Sequence, residues 1–184
     1  MKRPHLAVVV VAGSLLIPVL APPAQAGRRV DAAKRAEQLL RDLAAAQGDS
    51  ADRVEQEIAE LATDVTYMDE VEPVLIQTLD SRNGAQRRAA ARLLRYTVSG
   101  AAVTPLAGVL ARDASEEVRL EAATSLCLLK GDAAAGTLRN TRQNDASGRV
   151  RAAASAALDV IEDPSGAGSR GCRSAIQNRL AALR

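Results

Sequence analysis

Apolar residues recur along this chain at the spacing of one helix face. In DASEEVRLEAATSL, which opens at Asp113, Val118, Ala122 and Leu126 fall four apart; in DASGRVRAAASAAL, which opens at Asp145, Val150, Ala154 and Leu158 repeat them at an offset of 32. Arg119 superimposes on Arg151 in the same register. A weaker copy, DSRNGAQRRAAARL from Asp80, aligns at an offset of 33, with Ala85, Ala89 and Leu93 in the apolar positions. Spacing of this kind buries one stripe of a helix and leaves the rest to water.

Each of these helices has a shorter partner upstream. Pro73-Val74-Leu75-Ile76 and Pro105-Leu106-Ala107-Gly108 lie 32 apart, and Thr137-Leu138 holds the corresponding place 32 further on. Proline in a first helical turn costs nothing, because the N–H it lacks would have no partner there. The unit is helix, short turn, helix, and the pattern predicts helices over 30–46, 51–65, 69–79, 84–98, 103–112, 116–130, 133–142 and 147–162, with Gly48, Gly100 and Gly131 in the turns. The first pair, with Val54, Ile58, Leu61 and Val65 at helical spacing, lacks the Asp…Val-Arg pattern, as the end of a stack should when one face meets solvent. After the last pair, a loop from Asp163 to Ser169 leads to Ser174–Arg184, where Ile176, Leu180 and Leu183 share a face and predict a C-terminal capping helix.

The N-terminus reads differently. Lys2 and Arg3 precede an apolar stretch, Leu6 to Leu20, which runs through two prolines into Ala24-Gln25-Ala26. A basic start, a short apolar run and a small-x-small site are the parts of a secretory signal peptide. The run is interrupted by Gly13 and Pro18 and falls short of the roughly 20 residues a membrane-spanning helix needs. The expected organisation is therefore a signal peptide over 1–26 cleaved after Ala26, an atypical capping pair over 27–66, repeats over 67–162, and a loop with a capping helix over 163–184. The expected location is secreted or periplasmic, with no stable membrane insertion after cleavage.

Composition narrows the class. The 184 residues include no Trp, no Phe, two Tyr, one His (His5) and 38 Ala. A core of Ala and Leu suits closely packed helices, whereas sheets favour β-branched and aromatic residues. Cleavage would remove the only His, and with it the usual acid/base and zinc chemistry of neutral pH. The formal charge of +2 becomes zero after cleavage, and it is unevenly spread: residues 27–80 carry 6 basic and 13 acidic groups, net −7, whereas residues 81–184 carry 16 basic and 9 acidic, net +7. The basic positions do not form an extended phosphate-tracking groove, so nucleic acid is not the expected partner. An acidic N-terminal end facing a basic C-terminal part makes salt-sensitive self-association one expected mode of assembly.

The period, the two-helix unit and the Asp…Val-Arg…Ala…Leu pattern resemble the HEAT-like repeats, specifically the short variety named after phycobilisome lyases. The resemblance runs from about Pro73 to Ile161 and extends less clearly over 30–65. It implies an all-α, right-handed α-solenoid of about four antiparallel helix pairs, second helices on the concave side, used to hold other proteins. It also implies that Asp80, Asp113 and Asp145 close the turn and cap the second helix, and that Arg119 and Arg151 reach along the stack; solvated arginines on the helix surface are the competing reading. Aligned at 33, Gln86 takes the place of this arginine in the earlier copy, with Arg87 and Arg88 beside it.

On the concave side, Arg88, Arg92 and Arg95, with Glu121, Ser125 and Leu128 in the next unit, are the expected partner-binding residues. Cys127 and Cys172 are close enough along stacked helices to form a disulfide that pins the tail over the last repeat; a buried free Cys127 with a tail thiol free for intermolecular pairing is the other option. The expected function is a non-catalytic protein-interaction scaffold with no catalytic, metal or cofactor residues. The alternative is a lyase-like or carboxylate-based enzyme on the same scaffold, for which acidic clusters such as Asp69, Glu70 and Glu72 would have to serve.

Overall fold

The structure, a computed structural model, describes residues 23–46, 48–64, 66–97, 100–129, 132–163 and 171–183. The apolar run of the expected signal peptide and most of the 163–169 loop lie outside these residues. Among the described residues there are nine α-helices and no strand: α1 (Pro23–Leu43), α2 (Asp49–Thr63), α3 (Met68–Thr78), α4 (Gly84–Leu93), α5 (Val103–Arg112), α6 (Glu116–Leu128), α7 (Ala135–Asn144), α8 (Gly148–Ile161) and α9 (Cys172–Ala181). None of them is long and apolar enough to cross a membrane. The chain is an all-α solenoid of four antiparallel pairs, α1/α2 to α7/α8, followed by α9.

The helices end where local chemistry stops them. Gly48, directly before α2, has φ 53°, a conformation that side-chain-bearing residues rarely adopt. Asn83 caps α4 by accepting from the N–H groups of Ala85 and Gln86, and Ser147 caps α8 by accepting from Arg149 and Val150. The final turn of the second pair tightens into a 3-10 turn at Leu94–Tyr96, closed by the Thr97 hydroxyl donating to the Leu94 carbonyl.

Side-chain size sets the shape of the stack. The facing positions of the second helices are mostly alanine, with Ala89, Ala90, Ala91, Ala122, Ala123, Ala153, Ala154, Ala156 and Ala157 all buried. The first helices bury larger groups: Val71, Leu75 and Leu79 around α3, then Val103, Leu106 and Leu110 on α5. Interaxial distance follows the side chains at the contact. Accordingly α4, α6 and α8 pack closely on one another, whereas α3 and α5 stand apart around an open cleft of about 470 Å3. Over residues 68–161 the second helices therefore line the inner, more closely packed side.

α9 packs on α8, the last helix of the stack, and also on α6, beside the inner face. Cys172 and Ile176 are its buried residues, Leu180 is half-buried, and Leu183 lies past the helix end, 55% exposed. The apolar stripe of this helix is thus Cys172, Ile176 and Leu180, four apart, and the expected inclusion of Leu183 is corrected.

Candidate functional site

Two layers of polar contacts organise the repeats. The first is a ladder along the inter-helix turns. Arg119 donates from Nε and Nη2 to the two carboxylate oxygens of Asp145, at 2.8 and 3.0 Å, and from Nη1 to the Asp113 and Ala114 carbonyls of its own turn. Arg87 does the same one unit earlier, reaching Asp113 at 2.7 and 3.1 Å and the Ser81 and Arg82 carbonyls. Arg151 donates to the Asp145 and Ala146 carbonyls. Each aspartate also accepts from a backbone N–H two residues on, Ser115 for Asp113 and Ser147 for Asp145, both at 2.8 Å.

These contacts shift the ionisation of the partners. Burial pushes the Asp113 carboxyl up, but the Arg87 hydrogen bonds, the Ser115 N–H and the charges of Arg87 and Arg119 outweigh it and hold the group below the usual carboxylate value. Arg87 and Arg119 are held above their ordinary value, chiefly by their hydrogen bonds to Asp113 and Asp145.

The ladder corrects the sequence register. Arg87, Arg119 and Arg151 are equivalent at a constant offset of 32, so Gln86 is not the arginine position and Asp80 is not the turn residue. Ser81 takes that role, its hydroxyl accepting from the Asn83 N–H at 3.1 Å where an aspartate does so later. Asp80 is exposed and closes no turn. Gln86 stands at the valine position and is satisfied locally: it donates to the Leu40 carbonyl at 2.6 Å and accepts from the Ser81 hydroxyl. The aspartates close turns, and the helix N-caps beside them are Ser115 and Ser147.

The second layer lies on the inner face. Arg92 pairs with Glu55 of α2; Arg95 donates to Glu121 of α6 at 2.5 Å, and Arg88 lies 3.9 Å from the same carboxylate. Of the residues expected to meet a partner, Arg88 is exposed, Arg92 is half-exposed, and Arg95 and Glu121 are largely covered by their mutual pair. Ser125 does not reach the surface: it is 0% exposed and its hydroxyl donates to the Ala91 carbonyl at 2.6 Å. Leu128 packs against the core. The corrected register explains both outcomes, because Leu120, Thr124 and Cys127, not Glu121, Ser125 and Leu128, are equivalent to Arg88, Arg92 and Arg95.

Arg92, Arg95 and Glu121 line an open cleft of about 480 Å3. Glu117, Leu120, Glu121 and Thr124 of α6 form its floor, and Arg173, Ile176, Gln177 and Leu180 of α9 form the opposite wall; both sets are spaced as one helix face. Tyr96 and Arg149 complete the rim. Two links hold α9 in place. Cys127 on α6 and Cys172 at the start of α9 are joined by a disulfide across 45 residues, and Arg179 pairs with Asp159 of α8 at 2.6 Å. Sequence spacing could not bring α9 into this site, since the disulfide and the inner-face packing act across the end of the repeat pattern. Among the described residues no three His, Cys, Asp or Glu side chains converge to hold a metal ion.

Residues 72–159, which run from within α3 to within α8, match the family model of HEAT repeats. No curated protein and no solved structure shows a significant match.

Proposed function

We propose that this is an exported, non-catalytic scaffold whose HEAT-like repeats hold a partner protein on the inner face. The observation that carries the reading is a division of labour among repeat positions. Residues that fix the turns and the stack recur: Arg87, Arg119 and Arg151 each hold their own turn, and Ala90, Ala122 and Ala154 are buried between helices. Those directed to the inner face change from unit to unit, from Arg88 to Leu120 to Ala152 and from Arg92 to Thr124. A regular frame with irregular inner positions is how stacked repeats build a binding surface that selects its partner. Export rests on the pattern in residues 1–26.

Crosslinking in cells followed by mass spectrometry, combined with cell fractionation, tests both parts. Stoichiometric recovery of a protein partner from the exported fraction is the expected result. Recovery of the chain inside the cell would overturn export. A tightly bound small-molecule cofactor with no protein partner would overturn the scaffold reading in favour of an enzyme.

The split of −7 against +7 between residues 27–80 and 81–184 favours a second mode in which copies associate acidic end to basic part. Oligomers at low salt that dissociate at high salt on size exclusion would support it; a monomer at low salt and high concentration would exclude it.

A further inference from the structure

The cleft between α4, α6 and α9 holds one cation that no carboxylate among the described residues pairs with. Four arginines, Arg92, Arg95, Arg149 and Arg173, line it against two glutamates, Glu117 and Glu121. Three of the four are paired: Arg92 with Glu55, Arg95 with Glu121, and Arg149 with Glu116 and Glu117. Arg173 is exposed, and no carboxylate among the described residues pairs with it.

The place of Arg173 has no explanation in the stability of its own helix. It is the second residue of α9, where the helix dipole disfavours a cation. It also opposes a neighbour: burial chiefly, and the charge of Arg173 in addition, press the Arg95 guanidinium below its ordinary value against the pull of Glu121. Beside this cation stand the half-buried Leu180, the buried Ile176 and Leu120, and Tyr96, which at 41% is one of the two exposed large apolar side chains of the described residues.

We propose that this cleft receives an acidic segment of the partner protein, a short extended stretch in which carboxylates alternate with apolar side chains. The proposal rests on the scaffold reading above and names the chemistry of its partner. Arginine forks match carboxylates in planar, bidentate geometry, and Tyr96 with Leu120 and Leu180 offers apolar contact between them. A nucleic acid fits less well, since Glu117 and Glu121 would face its phosphates and a single aromatic offers little stacking. The volume is that of a site for a few residues, within the range of sites that enclose small ligands.

The test uses the disulfide-bonded chain and a pool of fluorescein-labelled, acetylated octapeptides in which Asp or Glu alternates with Leu, Val or Ala, read by fluorescence anisotropy at low salt. Binding is expected, weakened about tenfold or more by Arg173→Glu and further by Arg149→Glu, because charge-assisted contacts are lost. Arg82→Glu, an exposed change in the α3–α4 turn, is expected to leave binding unchanged. Arg173→Glu puts an acidic residue in the first turn of α9, which helix electrostatics favours, so lost binding cannot be charged to lost folding. No binding of the pool, or equal binding by wild type and Arg173→Glu, would overturn the proposal. So would a single-stranded oligonucleotide of similar length that binds more tightly than the peptides with the same dependence on Arg173. A partner crosslinked as efficiently by Arg173→Glu as by wild type would remove this cleft and leave the scaffold reading standing; failure to find any protein partner would remove the scaffold reading itself.

Discussion

Arg119 grips Asp145 with two nitrogens, 26 residues further along the chain, while its remaining amine holds the two carbonyls of its own turn. One side chain thereby sets the local geometry of a turn and the distance to the next repeat. Both partners are largely covered, at 13% and 8% exposed, so water screens the pair less than it would on a helix surface.

A double-mutant cycle with Arg119→Ala and Asp145→Ala, followed by urea denaturation, is expected to give a coupling of about 1–3 kcal/mol. The same cycle on Arg139 and Glu162, a pair exposed on both sides, is expected to stay under about 1 kcal/mol. Equal couplings would deny the ladder its special role.

The corrected register separates neighbouring residues. Ser81→Ala removes the acceptor of the Asn83 N–H and the partner of Gln86, and is expected to cost about 1 kcal/mol. Asp80→Ala is expected to stay within about 0.5 kcal/mol, as for other exposed surface changes. Thermal unfolding of the two variants checks the order, and the reverse order would restore the alignment at 33.

Asp113 brings pH dependence with a definite sign. Its carboxyl is depressed in the folded chain, so the unfolded chain binds the proton more readily. The stabilisation is complete above the ordinary carboxylate value of 3.8 and is lost as pH falls from there through the folded value. Asp113→Asn is therefore expected to be less stable than wild type at neutral pH, with the difference narrowing below pH about 3.8; denaturation at several pH values measures it. A difference independent of pH would show that the charge of Asp113 is irrelevant.

The Cys127–Cys172 disulfide closes a 45-residue separation, and Cys172→Ser is expected to lower stability by about 2–4 kcal/mol. The loss should be local as well as global. Amide exchange is expected to speed up over Cys172–Ala181 and on the inner face of α6 well before α3 and α5 are affected. Unchanged protection of α9 would mean that Ile176 and the Arg179–Asp159 pair suffice to hold it.

Ser125 is a packing residue, and its variants should behave accordingly. Ser125→Ala, which copies Ala157 one unit on, is expected to cost about 1 kcal/mol or less. Ser125→Leu overfills a fully buried site and is expected to cost about 1–3 kcal/mol by calorimetry. A Leu variant as stable as wild type would place the residue back on the surface.

The amino-acid sequence by itself determined the two-helix unit, its period and most helix boundaries, because each depends on contacts within a few residues of chain, though α1 starts at Pro23, ahead of the expected 30, and α4 ends at Leu93, short of the expected 98. Val118, Ala122 and Leu126 mark one face of α6 whatever surrounds it. The alanines of α4, α6 and α8 already contained the close inner packing, since small side chains admit close helices wherever they meet. The register of the second pair is not legible from Asp80, because the turn needs only a short oxygen acceptor, which Ser81 supplies. The constant offset of Leu94, Leu126 and Leu158 was the signal that could have corrected it. Only the tertiary structure decided that α9 reaches from α8 onto α6 and that Arg173 faces Arg95 across a cleft. Those facts depend on distances between residues 45 and 78 positions apart, set by how the repeats stack and by a disulfide, and no periodicity along the chain encodes them.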